Sequence, residues 1–171
     1  MRRARLGADA LLGVGAAFVA LLCLIRLGLT GEGVIAAFAA LVLVTLAAID
    51  FRERILPNRI VLPATAVILV AHVALAPSSF LEWVIGAVGA GFVFLVPALV
   101  RPDALGMGDV KLAMLLGAAL GSAVVPALML GLFATGLFAA GLVLVRGRAA
   151  LKTQMPLGPF LAFGGLVLLL A

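Results

Sequence analysis

Two aspartates, Asp50 and Asp109, stand against long apolar runs, where a carboxylate is expensive to keep. Asp50 closes the apolar run 34–49, and Asp109 opens the run 110–125 within Gly106-Met107-Gly108-Asp109. Two further apolar runs, 60–76 and 80–100, lie between them. If each run crosses a bilayer, the even number returns the chain to the face it left, so the two carboxylates can meet. Two adjacent carboxylates cannot both ionise easily and share one proton, which makes one a base and the other an acid. The base takes a proton from water, the water attacks a peptide carbonyl, and the acid supports the oxyanion and then protonates the leaving amine. Such chemistry needs no metal, cofactor or covalent intermediate. On residue types alone, hydrolysis stands level with the alternative that the pair binds a cation or serves structural pairing.

The elements that must hold this pair are helices in lipid. The chain has 171 residues, 66% hydrophobic and 11% charged, with a mean hydropathy of +1.38. A soluble domain of this size cannot hide so much apolar surface. A span needs roughly 20 apolar residues, and seven candidates occur, at 10–29, 33–49, 60–76, 80–100, 110–125, 126–145 and 157–171. The last is the weakest, so the expectation is an all-α polytopic transmembrane bundle of six to seven spans, a single membrane domain over residues 1–171. The runs are too long and continuous for the alternating strands of a membrane β-barrel. Asp109, at the start of its helix, gains from the helix dipole. Gly106 and Gly108 leave the backbone before it open to close approach.

The net charge of +5 is explained by position. Basic residues gather in alternate loops: Arg2, Arg3 and Arg5; Arg52, Arg54 and Arg59; Arg101 and Lys111; Arg146, Arg148 and Lys152. The turns 76–80 and 122–126 carry none, and the turn 26–33 has Arg26 alone beside Glu32. This positive-inside alternation puts the N-terminus and both aspartates at the cytoplasmic face of the inner membrane. No basic or aromatic stripe supports a nucleic-acid partner; membrane lipid is the expected surrounding. The basic start followed by apolar residues looks like a secretory signal, but no clean cleavage site precedes Arg26, which favours an uncleaved first helix.

Other protease chemistries lack their residues. His72 is the only histidine, so a His-Glu-x-x-His zinc helix is absent, and the lone Cys23 sits in an apolar run with no adjacent base. Pairing Ser122 with His72 would lack a Gly-x-Ser-x-Gly frame. Asp9, Glu32, Glu53, Glu82 and Asp103 occupy loop or span-end contexts and read as solvated charges. Small residues four apart, Gly86…Ala90, Gly117…Gly121 and Gly136…Ala140, predict close helix packing within one bundle.

Three segments carry a resemblance. Asp50-Phe51-Arg52-Glu53-Arg54-Ile55-Leu56-Pro57-Asn58 resembles the first aspartate motif of prepilin peptidases, the leader peptidases of type IV pilins. Gly106-Met107-Gly108-Asp109-Val110-Lys111-Leu112 matches their Gly-x-Gly-Asp motif with its Val-Lys-Leu continuation. Met155-Pro156-Leu157-Gly158-Pro159-Phe160-Leu161 is similar to the family's closing Pro-Phe-Gly-Pro-Phe-Leu segment, with Leu157 in place of the usual phenylalanine. Gly-x-Gly-Asp alone is shared with presenilin-like proteases; the three together, in order, are specific.

The resemblance implies an aspartic endopeptidase with Asp50 and Asp109 as its catalytic pair. It implies a prepilin or pseudopilin substrate, cut at the cytoplasmic face between a basic leader and the apolar helix. The short chain is similar to peptidases serving Flp-type pili, and an archaeal preflagellin-type peptidase is an alternative. The four-cysteine zinc segment of long members, associated with methylation, has no counterpart in these residues, so proteolysis is the activity expected and methylation is not part of the expectation. Gly106 and Gly108 are expected to position Asp109, Pro57 and Asn58 to set the turn after the first motif, and Lys111 to snorkel towards lipid phosphate. Outside the resemblance, a small ion or proton carrier with carboxylates lining the bundle remains a second class.

Overall fold

The computed structural model describes residues 2–101, 105–147 and 156–171, with side chains described from residue 12 onward. Pro102, Asp103, Arg148, Lys152 and Met155, and the side chains of Arg2, Arg3, Arg5 and Asp9, lie outside the described residues. Seven α-helices and no strand occur among the described residues: α1 Arg2–Leu27, α2 Gly31–Glu53, α3 Asn58–Leu75, α4 Phe80–Val100, α5 Met107–Leu120, α6 Val124–Arg146 and α7 Gly158–Leu170. The expected helical membrane bundle is what forms. Among the described residues, four helical stretches are long and apolar enough to cross a membrane: Gly31–Glu53, Asn58–Leu75, Pro77–Val100 and Met107–Arg146. The last is really a pair, because Gly121 at φ +55° breaks it between α5 and α6. Few residues other than glycine adopt that backbone geometry.

The outer surface is apolar. Val88, Phe92, Val93, Phe133, Leu137 and Leu144 are among many large side chains left exposed. In water such a surface would drive association; against acyl chains it is at rest. Buried positions instead carry small residues, Ala39, Ala40, Ala87, Ala113, Ala118 and Ala162 among them, interleaved with Leu43, Leu46, Leu115 and Leu116. Association in lipid gains little from hydrophobicity, so close van der Waals contact must supply it.

The centre of the bundle is α5, which packs against α2, α3, α4, α6 and α7. Its 14 residues span ~21 Å at 1.5 Å per residue, short of the ~30 Å hydrocarbon core. A short helix in lipid would strand its terminal N–H and C=O groups. Here neighbouring helices wrap it, and Leu112, Ala113, Leu115, Leu116 and Ala118 are fully buried. The closest crossing is with α4. A Cβ at Gly86 would lie 2.8 Å from the Gly117 carbonyl oxygen, and one at Gly117 would collide with the Gly86 backbone. Of the small-residue pairs expected to pack, Gly86 and Gly117 do so. Gly136 does not, since a Cβ there would meet only open space. A similar approach joins α6 to α7, where a Cβ at Gly164 would strike the Ala127 carbonyl.

Several boundaries differ from the sequence expectation. The first helix begins at Arg2, not near residue 10. Asp50 does not end its helix, because α2 runs on to Glu53 and closes when the Arg54 amide bonds the Asp50 carbonyl at 2.9 Å. Arg54 takes the left-handed conformation to do so, with φ 54°. The run 110–125 is likewise offset: its helix starts at Met107 and stops at Leu120, four residues before α6 begins. Hydropathy does not see caps, and these ends are set by caps.

Candidate active site

Antiparallel succession brings the end of α2 to the starts of α3, α5 and α7. Three contacts at that end define the site. Gly158, the first residue of α7, donates its N–H to Oδ2 of Asp50 at 3.1 Å in a buried hydrogen bond. Leu56, buried in the α2–α3 connection, fills the space under Gly108, where a Cβ would come 3.1 Å from its own Cβ. Lys111 on α5 donates from Nζ to Asn58 Oδ1 at the start of α3, at 2.7 Å.

Asp50 is only 6% exposed, so it faces the bundle interior and not lipid. A buried carboxylate must find donors, and the first amide of α7 is a natural one. Helix N-termini present free N–H groups and a positive dipole end. Asp109 uses the same device within its own helix. Gly106 is the N-cap of α5 in an extended conformation (φ −78°, ψ 149°), and Asp109 is its third helical residue. An acidic side chain there reaches back to the cap amide, half of a capping box. The Asp109 carboxylate lies close to Gly106, and the Asp109 amide bonds the Gly106 carbonyl at 3.1 Å. Gly108 therefore belongs to the first helical turn. Asp109 is only half-buried, beside the exposed Gly106 and Met107.

The supporting residues fall as follows. Pro57 is the extended N-cap of α3, and its carbonyl accepts the amides of Ile60 at 3.0 Å and Val61 at 3.2 Å. Asn58 and Lys111 form the hydrogen bond just described. The Lys111 Nζ has a protein acceptor in Asn58, a contact that fastens the first turn of α5 to α3. Lys111→Met is expected to lower turnover about three- to tenfold and to cost about 1 kcal/mol of stability or less. Asn58→Ala should match it, and the double variant should be no worse than either single one.

Two residues of the site were not singled out as such from sequence, Gly158 and Leu56. Both lie inside the motifs quoted above, but one acts through its backbone and the other through packing. The signal that could have found Gly158 is a glycine-proline step opening an apolar helix, with a free amide at its start.

At the opposite end, the residues considered for serine chemistry have other partners. Ser122 donates to Glu82 Oε1 at 2.8 Å, so Glu82 is not merely solvated. His72 is buried and stacks on Trp83, with centroids 3.6 Å apart and planes 12° from parallel. Cys23 is buried and free. Among the described residues, no group of three His, Cys, Asp or Glu could hold a metal ion.

Fold and site together define a helical membrane protein with two carboxylates, Asp50 and Asp109, on helices that converge at one end of the bundle, the first of them held by a glycine amide at a helix start. Residues 37–144 match the model of the type IV leader peptidase family, and the chain belongs to that family. It is 37% identical over 130 residues to a prepilin leader peptidase/N-methyltransferase of Burkholderia pseudomallei, covering 72% of this chain and 41% of the relative. A Pseudomonas putida protein of the same name is 31% identical over 166 residues, covering 94% of this chain and 57% of the relative. One from Aeromonas salmonicida is 34% identical over 136 residues, covering 75% and 46%. The chain thus spans about half the length of the curated relatives it matches. No solved structure gives a significant match.

Proposed function

We propose that this protein is an aspartic endopeptidase that removes the basic leader from type IV prepilin-like precursors, Flp-type pilins among the candidates. The reading is supported by the convergence of the elements that bear the two motif aspartates at one end of the bundle, where the α7 amide of Gly158 bonds Asp50 and Leu56, just after the first motif's helix, packs under Gly108 beside Asp109. In the mechanism, the pair shares a proton and holds a water between its two carboxyls. One oxygen of Asp50 is engaged by Gly158, which leaves the other to accept the proton of the attacking water. Asp109, more open to solvent, supports the oxyanion and protonates the new amine. An archaeal preflagellin-type substrate would use the same steps. A carrier of ions or protons needs carboxylates facing the bundle but has no use for a glycine amide dedicated to one of them.

The test is co-expression with a prepilin, followed by a gel shift and N-terminal sequencing of the product. A new N-terminus at the junction of leader and apolar helix is expected. An uncut precursor, with cation flux through vesicles carrying the protein, would move the assignment to the carrier.

We further propose that the site end and the N-terminus face the cytoplasm of the inner membrane, because the Arg and Lys residues gather there. In a Cys23→Ala background, Ser78→Cys should react with an impermeant maleimide added outside, and Arg59→Cys only after permeabilisation. The reverse pattern would invert the orientation.

A further inference from the structure

Gly158 is buried at the start of α7, and its backbone is in direct contact with Asp50. Two independent facts bear on that contact. The amide donates to Asp50 Oδ2 at 3.1 Å, in a buried setting where a hydrogen bond to a carboxylate is strong and directional. The space beside it is filled by the same side chain: a Cβ on residue 158 would stand 2.5 Å from Oδ2, 3.0 Å from Cγ and 3.2 Å from Cβ of Asp50. The three heavy atoms nearest that position all belong to Asp50. The glycine therefore leaves room for the Asp50 carboxyl and places a donor beside it.

We propose that Gly158 is a positioning residue for the hydrolytic pair. Its amide selects the rotamer of Asp50, and its missing side chain makes that rotamer accessible. The inference rests on the proteolytic reading for its kinetic consequence, but the contact itself can be tested without it. α7 is then the third wall of the active site, which assigns a task to the Pro156-Leu157-Gly158-Pro159 segment that neither aspartate motif supplies. Helical geometry supports this division of labour. Phe160 and Leu161 donate their amides to the Leu157 carbonyl, both at 3.1 Å, so the first turn of α7 is formed. Pro159 has no amide to compete for Asp50.

The test uses the full chain in lipid and two substitutions that divide the effect. Gly158→Ala adds the volume. Replacement of the residue 158 amide by an ester, through incorporation of glycolic acid, removes the donor and adds no volume. Gly136→Ala, on a face where a Cβ meets open space, is the control. Gly158→Ala is expected to lower kcat at least 100-fold and the ester about tenfold or more, with KM for the prepilin changed less than threefold. Both should shift the infrared carboxyl band of Asp50, identified by subtraction of Asp50→Asn, whereas Gly136→Ala should leave rate and band unchanged. The proposal is overturned if the ester variant keeps kcat within threefold of wild type, or if the Asp50 band does not move. If the alanine unfolds the bundle, the ester alone decides. If wild type cuts no prepilin, the proteolytic reading fails, and the carboxyl band still decides whether Gly158 holds Asp50.

Discussion

Asp109→Asn is expected to abolish processing of a co-expressed prepilin, and Asp50→Asn to do the same, each lowering turnover by about 10³-fold, within the range assigned to general acid–base groups. Asparagine keeps the size and shape of aspartate and retains a carbonyl oxygen. At position 50 that oxygen can still accept the Gly158 N–H, and at 109 it can still lie close to Gly106, as the aspartate does. The local fold should survive, so melting temperatures should stay near wild type. What disappears is chemistry: an amide neither takes a proton from water nor delivers one to an amine. Because the pair works as a unit, the double variant should be no slower than either single one. The measurement is a gel shift of the precursor with purified variants in lipid. Processing that persisted in either single variant would remove the paired-carboxylate mechanism. Equal loss accompanied by a collapse of melting temperature would mean the aspartates hold the bundle together and would leave catalysis unsupported.

Much of this site could be read in the residues themselves. Asp50 and Asp109 carry their message in type and in position beside apolar runs, and the two intervening spans fix that they share one end of the bundle. The helical class followed from hydropathy, because nothing else satisfies so many backbone groups in lipid. What hydropathy could not deliver were helix ends. It gave no reason for α2 to run past Asp50 to Glu53, or for α5 to begin at Met107, since both ends are decided by backbone hydrogen bonds at the caps. The Arg54 amide closes one, and the extended Gly106 opens the other. Nor could hydropathy supply the partner of Lys111, Asn58, which lies 53 residues earlier in the chain and 2.7 Å away in space. Gly158 shows the limit most plainly. A glycine has no side chain to announce a function, and its contribution is an amide whose partner lies 108 residues away.

The second large effect concerns the platform beneath the aspartates. Gly117→Ala is expected to lower the melting temperature by roughly 5 °C or more, from an overpacking cost near the top of the usual ~1–3 kcal/mol range. The reason is the nature of the neighbour. A Cβ at Gly117 would run into the carbonyl and carbon of Gly86 and the Cα of Ala87, which are backbone atoms that cannot rotate aside. The two helices must separate, and α5 is packed on every side by other helices, so it has nowhere to move freely. Its first turn carries Asp109, and its displacement relative to α2 should lower prepilin turnover along with stability. Gly136→Ala supplies the contrast, since its new methyl would touch nothing within the chain and should change neither quantity. Chemical cross-linking at equal protein density separates this account from a dimer contact through the same glycines. If Gly117→Ala dissociated an oligomer and left the monomer's melting temperature intact, the α4–α5 crossing would not be the contact that holds Asp109 in place.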